Sequence, residues 1–291
     1  MTALSPGLHY GIPAKAYHAD PCEQPSLSST IARKLLAESP AHAHLAHPRL
    51  GGAGKTTTAA MGLGQLVHSL MDDNPDKDYV LGPFSDYKTG EARAWRDRII
   101  LSGKTPALDR DLVDAQPIAN ALRAKVALPD CKSEVTGIWR EGDVWCRARY
   151  DKLALTVGAA GGTATGADFW DWKTISGDMS DRGIIKAIAK YGYHIQVALY
   201  LRGLGECLSL RPSALSATLV FVSTSAPYTV RRVRLSDTFL AEGYRKAEEA
   251  IQKWGAAMKS NDWSDPREAG VMEAEMPAWM DEVEIEISPA T

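Results

Sequence analysis

The pattern of apolar and polar positions changes character near Glu134. Ahead of it the apolar residues repeat with a helical period. Leu63, Leu66, Val67, Leu70 and Met71 fall at i, i+3, i+4, i+7 and i+8. That spacing predicts a helix over MGLGQLVHSLMDD with one apolar stripe and His68 on its flank. SLSST, from Ser26 to Thr30, offers N-caps for an earlier helix, IARKLLAE, which stops at Ser39-Pro40. EARAWRDRIILS and DRDLVDAQPIANALRAKV predict two more between residues 90 and 126. Residues 1–25, rich in Pro and His, read as extended, and residues 41–57 as a loop.

Beyond Glu134 the pattern is that of strands. SEVTGIWR and DVWCRARYDKLAL flank a turn at Glu141-Gly142-Asp143, and ADFWDWKT makes a third strand. A continuous helix is predicted from about Asp181 through IIKAIAKYGYHIQVALYLRGLG. LSATLVFVST and YTVRRVRL form a hairpin around Ala226-Pro227. A last amphipathic helix spans about 237–259, with Leu240, Ala247, Ile251, Trp254 and Met258 on one face. This order predicts an α/β fold, a central mixed sheet flanked by helices, in a single domain over residues 26–265. Its helical part is 26–130 and its sheet core 131–265; an extended segment (1–25) precedes it and an acidic tail (266–291) follows.

GGAGKTTT (residues 51–58) has the look of a phosphate-binding loop. A P-loop needs a Gly five residues before its Gly-Lys, fed by a buried strand. Position 49 is Arg49, and AHAHLAHPRL makes no strand. The stretch reads as a Gly/Thr-rich connection, so neither a nucleotide site nor ATP is expected.

Composition narrows the class. With 45% apolar and 24% charged residues among 291, the chain reads as soluble and globular. A net charge of −3 announces no nucleic-acid surface, though a local basic groove fits under an acidic total. Cys22, Cys131, Cys146 and Cys207 have no CxxC spacing, which argues against a zinc or iron–sulfur site and for reduced thiols of a cytoplasmic protein. No signal peptide or membrane span is visible.

The chemistry sits on the strands. Asp171 and Lys173, two apart, point to one face of their strand. The preceding strand can bring Asp151 beside Asp171. Two adjacent carboxylates repel unless a divalent cation lies between them, and a nearby lysine suits a phosphate or a metal-bound hydroxide. Such a set makes a hard-cation phosphoryl-transfer site. Asp-x-Lys alone would be a surface ion pair.

Five stretches, in order, extend the match: SSTIARKLLAESPAHAHL; GLGQLVHSL, with Gly64 and His68; ARYDKLAL, with Asp151; DFWDWKT, with Asp171 and Lys173; and YGYHIQVALYL, with Gln196 and Tyr200. Together they resemble the PD-(D/E)xK nucleases of the RecB-like group, and most closely the RecE-type exonucleases of phages and prophages. The closing MPAW resembles the end of that family. One feature departs from it: Tyr150 stands where the family has a Pro before its first acid.

The resemblance implies a restriction-endonuclease-like core and a Mg²⁺- or Mn²⁺-dependent exonuclease. Asp151, Asp171, the Trp172 backbone carbonyl and His68 would hold the metal. Lys173 would orient or deprotonate the attacking water, and Gln196 and Tyr200 would steady Lys173 or a DNA phosphate. Linear duplex ends would be degraded 5′ to 3′ to 5′-mononucleotides, leaving a 3′ overhang for a RecT-type annealing protein. A homo-oligomeric ring around the DNA is implied as well. Some RecB-like relatives carry an iron–sulfur cluster, which the cysteine spacing here does not support. Glu134 is left without a role. Arg33 and Lys34 are candidates for a DNA end. Arg147 and Arg149 share the strand of Asp151 and are candidates for the scissile backbone. Arg231, Arg232 and Arg234 are either a phosphate-contacting patch or a solvated edge. A PD-(D/E)xK endonuclease, a helicase-linked nuclease and a non-catalytic phage DNA-binding protein are the alternatives.

Overall fold

The structure, a computed structural model, describes residues 3–52, 59–72, 79–158 and 162–275. In chain order these form β1 (Gly7–His9), α1 (Ala14–His18), β2 (Leu27–Ser28), α2 (Ser29–Ala37), α3 (Pro40–Ala46), α4 (Ala59–Met71), β3 (Tyr79–Leu81), α5 (Gly90–Ser102), β4 (Thr105–Ala107), α6 (Asp109–Lys125), β5 (Lys132–Glu141), β6 (Val144–Val157), β7 (Ala164–Ile175), α7 (Asp181–Tyr191), α8 (Tyr193–Leu208), β8 (Leu215–Ser223), β9 (Val230–Val233) and α9 (Asp237–Ser260). The fold is α/β. A seven-stranded mixed sheet runs β1-β5-β6-β7-β8-β9, with β2 added beside β6.

β5, β6 and β7 are an antiparallel meander, as the alternation at 134–173 predicts. β7 and β8 pair in parallel, so α7 and α8 form the crossover between them. β8 shows how the sheet divides the core. Its Leu219 and Phe221 face one side, where Trp139, Tyr150, Phe169, Leu199 and Trp254 are buried under α2, α8 and α9. Its Val220 and Val222 face the other, with Trp172 and with Leu66, Val67, Ile118 and Leu122 of α4 and α6. Burial on both faces explains the continuous apolar run of LVFV.

Three expectations are corrected. Residues 40–46 form α3 rather than a loop: the Ser39 hydroxyl accepts from the His42 amide and Pro40 sits in the first turn. The helix predicted from 181 breaks in two at Gly192, whose φ of 64° ends α7 in the left-handed region. Residues 1–25, expected to be extended throughout, include the helix α1, while β1 among them pairs with β5; β2, just beyond, runs parallel to Cys146 and Arg147 of β6. The helical part also carries a small two-stranded parallel sheet, β3 with β4. Lys55 and most of GGAGKTTT, the closing MPAW and most of the acidic tail lie outside the described residues.

α8 lies tight on the sheet through Gly203. A Cβ there would meet the Trp139 ring at 2.6 Å. Trp139 is buried, and its indole nitrogen donates to Glu141 at 3.1 Å, so the ring has little room to yield. Alanine is favoured over glycine in a helix by about 1 kcal/mol, but overpacking costs about 1–3 kcal/mol. Gly203→Ala is therefore expected to lower stability by roughly 1 kcal/mol in urea titration despite its better helix propensity.

Candidate active site

The register of the meander sets three acids side by side. Ser133 pairs with Lys152 and Val135 with Tyr150, which puts Glu134 opposite Asp151. Lys152 pairs with Trp170, which puts Asp151 opposite Asp171 on the far side. The strands are irregular at this row. Glu134 has φ 54°, a left-handed conformation that costs a non-glycine residue about 1–2 kcal/mol. Tyr150 and Leu153, three apart, both enter the same core, so the alternation of β6 slips at Asp151 and Lys152.

α4 brings His68 over this row. At Gly64 the helix crosses β7 so closely that a Cβ would lie 3.2 Å from the Thr174 hydroxyl. One turn on, His68 Nε2 lies 3.1 Å from the Trp172 carbonyl oxygen and Nδ1 lies 3.4 Å from Asp151 Oδ2. A carbonyl only accepts, so Nε2 carries the proton and Nδ1 of the neutral ring turns a lone pair toward a carboxylate. Two lone pairs facing one another need a proton or a cation between them. Glu134 completes the group: ligand atoms of His68, Glu134 and Asp151 lie within 4.8 Å of one another. The donor set, one imidazole and two carboxylates with Asp171 adjoining, fits a divalent cation that accepts oxygen and nitrogen ligands. Asp151 reflects the same crowding. Burial pushes its carboxyl up to about 7, with the negative charges of Asp171 and Glu134 adding to the shift and His68 and Lys173 opposing it. Its Oδ2 also accepts from the Trp172 amide at 2.8 Å, fixing the side chain between the strands.

Asp171 belongs to the other half of the site. It is 2% exposed, accepts from Gln196 Nε2 at 2.8 Å and pairs with Lys173. Lys173 Nζ lies 4.7 Å from the centroid of the Tyr193 ring, a cation–π contact. Gly192 opens α8 so that Tyr193 and Gln196, three apart, both reach this pair.

Chain comparisons bear on the fold that carries these residues. The profile of the family described as a PDDEXK-like domain of unknown function (DUF3799) matches residues 28–275. The chain belongs to that family. Among solved structures, a protein from Eubacterium rectale described as “Putative exonuclease” superposes with a TM-score of 0.63 at 12% identity, over 96% of this chain and 100% of that one. At that identity the likeness is one of fold. SSO0001 aligns at a TM-score of only 0.27 and 13% identity, over 68% of this chain and 86% of that one. No curated protein matches. The three-acid row, the histidine and the lysine thus sit on a PDDEXK-like domain.

Within this PDDEXK-like domain, several predicted residues lie elsewhere. Tyr200 does not reach Lys173; it is buried, with its ring against Tyr150 and Phe169, and its carbonyl accepts from the Tyr150 hydroxyl. Arg147 faces the N-terminal segment, where it meets Asp20 at 3.1 Å and donates to Ser26, and at 3% exposure it is closed to DNA. Arg149 pairs with Glu134 and donates to the Ile12 carbonyl at 3.0 Å, so it holds an acid of the row rather than meeting a backbone. Arg33 donates to the Tyr191 carbonyl at 2.6 Å and braces the α7–α8 junction. Lys34 pairs with Glu38 one turn along α2. Arg231 pairs with Asp181, and Arg234 reaches Thr218 at 3.5 Å; Arg232 is exposed on β9. Sequence reasoning left Glu134 without a role and missed Tyr193. The register of the first two strands would have flagged Glu134, but nothing in the pattern marks Tyr193 beyond its place three residues before Gln196. None of the four cysteines forms a disulfide, and Cys22 and Cys146 are buried. No helix among the described residues is long and apolar enough to cross a membrane.

Proposed function

We propose that this chain is a RecE-type exonuclease that uses Mg²⁺ or Mn²⁺ to degrade linear double-stranded DNA. The observation that carries the nuclease reading is the row Glu134–Asp151–Asp171, capped by His68 on one side and Lys173 on the other. The description of the Eubacterium rectale neighbour points to the same activity. The 5′ to 3′ direction, release of 5′-mononucleotides, a RecT-type annealing partner for the 3′ overhang and a ring of identical subunits rest on the order of the five motifs. A ring also accords with a net charge of −3, because enclosure would hold DNA without a strongly basic surface.

His68, Glu134 and Asp151 would hold the cation, with Asp171 at its edge. When bound it would supply positive charge to the phosphate and acidify a water. Gln196 fixes the Asp171 carboxylate by its hydrogen bond. Asp171 and the Tyr193 ring together hold the Lys173 ammonium, which orients the attacking water and faces the charge that builds on the phosphate oxygens. The Arg149 guanidinium holds Glu134 in its strained conformation. Replacing Glu134 with Gln removes one anionic ligand, and Mn²⁺ affinity measured by calorimetry is expected to fall at least about tenfold.

The reading is tested with purified protein, Mg²⁺, linear duplexes labelled at the 5′ or the 3′ end, and a closed circle. Early release of 5′-labelled mononucleotides with the circle intact supports it. A cut circle moves the activity to an endonuclease. Absence of Mg²⁺-dependent cleavage on every substrate overturns it. Light scattering reads the ring, which a monomer at assay concentration would exclude.

A further inference from the structure

α7 leads out of the site just described, and among the described residues nothing packs over its outer face. Arg182, Lys186 and Lys190 fall at i, i+4 and i+8, all exposed, while Ile184, Ala187 and Ile188 turn inward. The three cations therefore form one stripe, with steps of about 6 Å along the helix axis. The stripe ends in aromatic rings. Lys190 Nζ lies 5.4 Å from the Tyr191 ring centroid, and Tyr191 lies 5.7 Å from Tyr193, the ring that carries Lys173. Tyr191 is 49% exposed. It is held there rather than loosely placed: Arg33 binds its carbonyl, and the left-handed Gly192 fixes the turn against the Arg33 side chain, 2.9 Å from where a Cβ would sit. The nearby acids are engaged, Asp181 by Arg231 and Asp178 by Ser180.

A stripe of cations that ends in an open aromatic ring suits a strand with phosphates on one side and unstacked bases on the other. Duplex DNA hides its base faces, so it could use the cations but not the ring. We propose that the outer face of α7, with Tyr191 as its stacking platform, binds unpaired DNA next to the cutting site. This rests on the nuclease reading for the identity of the strand, but its geometry is independent of the metal. Lys173 lies at one end of the track and Arg182 at the other. The strand would run along α7 with the base nearest the cut stacked on Tyr191.

The test is fluorescence anisotropy of a labelled oligo-dT and of a labelled duplex in EDTA, where no cleavage occurs, across a salt series. Tyr191→Ala is expected to weaken oligo-dT binding by about 5- to 100-fold and duplex binding much less, while Tyr191→Phe retains the wild-type affinity. Arg182→Ala/Lys186→Ala/Lys190→Ala is expected to reduce the slope of log affinity against log salt by about 2, from about 0.7 per lost contact on a single strand. Lys253→Ala, on α9, should leave the slope unchanged. Thermal melts confirm that each variant is folded; these side chains are exposed and carry little packing. Equal oligo-dT affinity in wild type and Tyr191→Ala, or no binding of oligo-dT by the wild type, overturns the track. Cleavage by the wild type in Mg²⁺, measured separately, isolates the two claims. Binding that depends on Tyr191 without any cleavage would sink the nuclease reading and leave the track. Cleavage with unaltered binding would do the reverse.

Discussion

Lys173→Ala is expected to slow Mg²⁺-dependent cleavage of a linear duplex by about 10³-fold while leaving a folded protein that still binds Mn²⁺. The size follows from what the side chain does. Lys173 is nearly buried, ion-paired with Asp171 and held over the Tyr193 ring, so its ammonium is fixed where charge develops on a phosphate. A charge fixed in advance needs no reorganisation as the reaction proceeds, which makes its removal costly to rate rather than to binding. Lys173→Arg is not expected to rescue it. The planar guanidinium is longer and would displace the Tyr193 contact, and it cannot give up a proton. Loss of stability should be modest, about 1–3 kcal/mol, because Asp171 keeps its Gln196 hydrogen bond. The measurements are initial rates on 5′-labelled duplex and Mn²⁺ calorimetry on the same preparations. Cleavage within tenfold of wild type would remove Lys173 from the chemistry. Loss of Mn²⁺ binding together with activity would instead assign it to holding the site together.

The sequence made the central elements legible because they are buried on both faces or alternate cleanly. The meander over 132–175, the β8–β9 hairpin and α9 all lie where apolar periodicity puts them. Asp171 and Lys173 were legible as a pair because a strand's period of two sets them on one face, whereas Asp151 could be placed beside them only by the pairing of neighbouring strands. Glu134 was harder. Its place beside Asp151 depends on register across a turn, and its left-handed backbone breaks the alternation that a period of two assumes. Arg147 and Arg149 show the cost of that assumption. Read by alternation they belong with Asp151, yet the N-terminal segment folds back over them and takes both guanidiniums. The break at Gly192 was hidden for another reason. A glycine inside an apolar helical run is tolerated often enough that only its φ reveals a boundary.

Asp20 was the least legible residue of structural weight, and its replacement is expected to have the largest effect on stability. It sits in the DPCEQP stretch, which reads as loop. Its side chain is nonetheless fully buried and gathers the N-terminal segment onto β6. Oδ1 accepts from the Ser26 hydroxyl at 2.7 Å and Oδ2 from the Ser26 amide at 2.9 Å. Arg147 approaches to 3.1 Å and His47 Nε2 to 3.2 Å. The His47 ring is the other half of the knot: its Nδ1 accepts from the Arg49 amide, so Nε2 carries the proton and points it at Asp20 and the Ser26 carbonyl.

Burial alone would raise the Asp20 carboxyl, but the His47 hydrogen bond, the Arg147 charge and the two Ser26 bonds overcome it and hold the group at about 2. The unfolded chain has the ordinary value near 3.8, so the folded state binds the proton less tightly. The resulting stability is therefore present above about pH 4 and drains away as pH falls from about 4 to about 2, a loss of about 2 kcal/mol at 1.36 kcal/mol per unit. Asp20→Ala removes the anion and leaves Arg147 buried without its partner. Breaking one side of a buried pair costs about 3–5 kcal/mol, which for a chain of this size lowers Tm by roughly 10 °C. The variant should also lose the wild-type fall in stability between about pH 4 and pH 2, since the group that titrates there is gone. Urea titrations at pH 7 and through the acid range, on wild type and Asp20→Ala, decide it. A loss under about 1 kcal/mol at neutral pH would mean that Arg147 finds water when Asp20 is removed. An Asp20→Leu/Arg147→Met double replacement should then fare better than Asp20→Leu alone only if the knot is as dry as its burial implies, because an apolar pair can stand in for a buried ion pair but not for half of one.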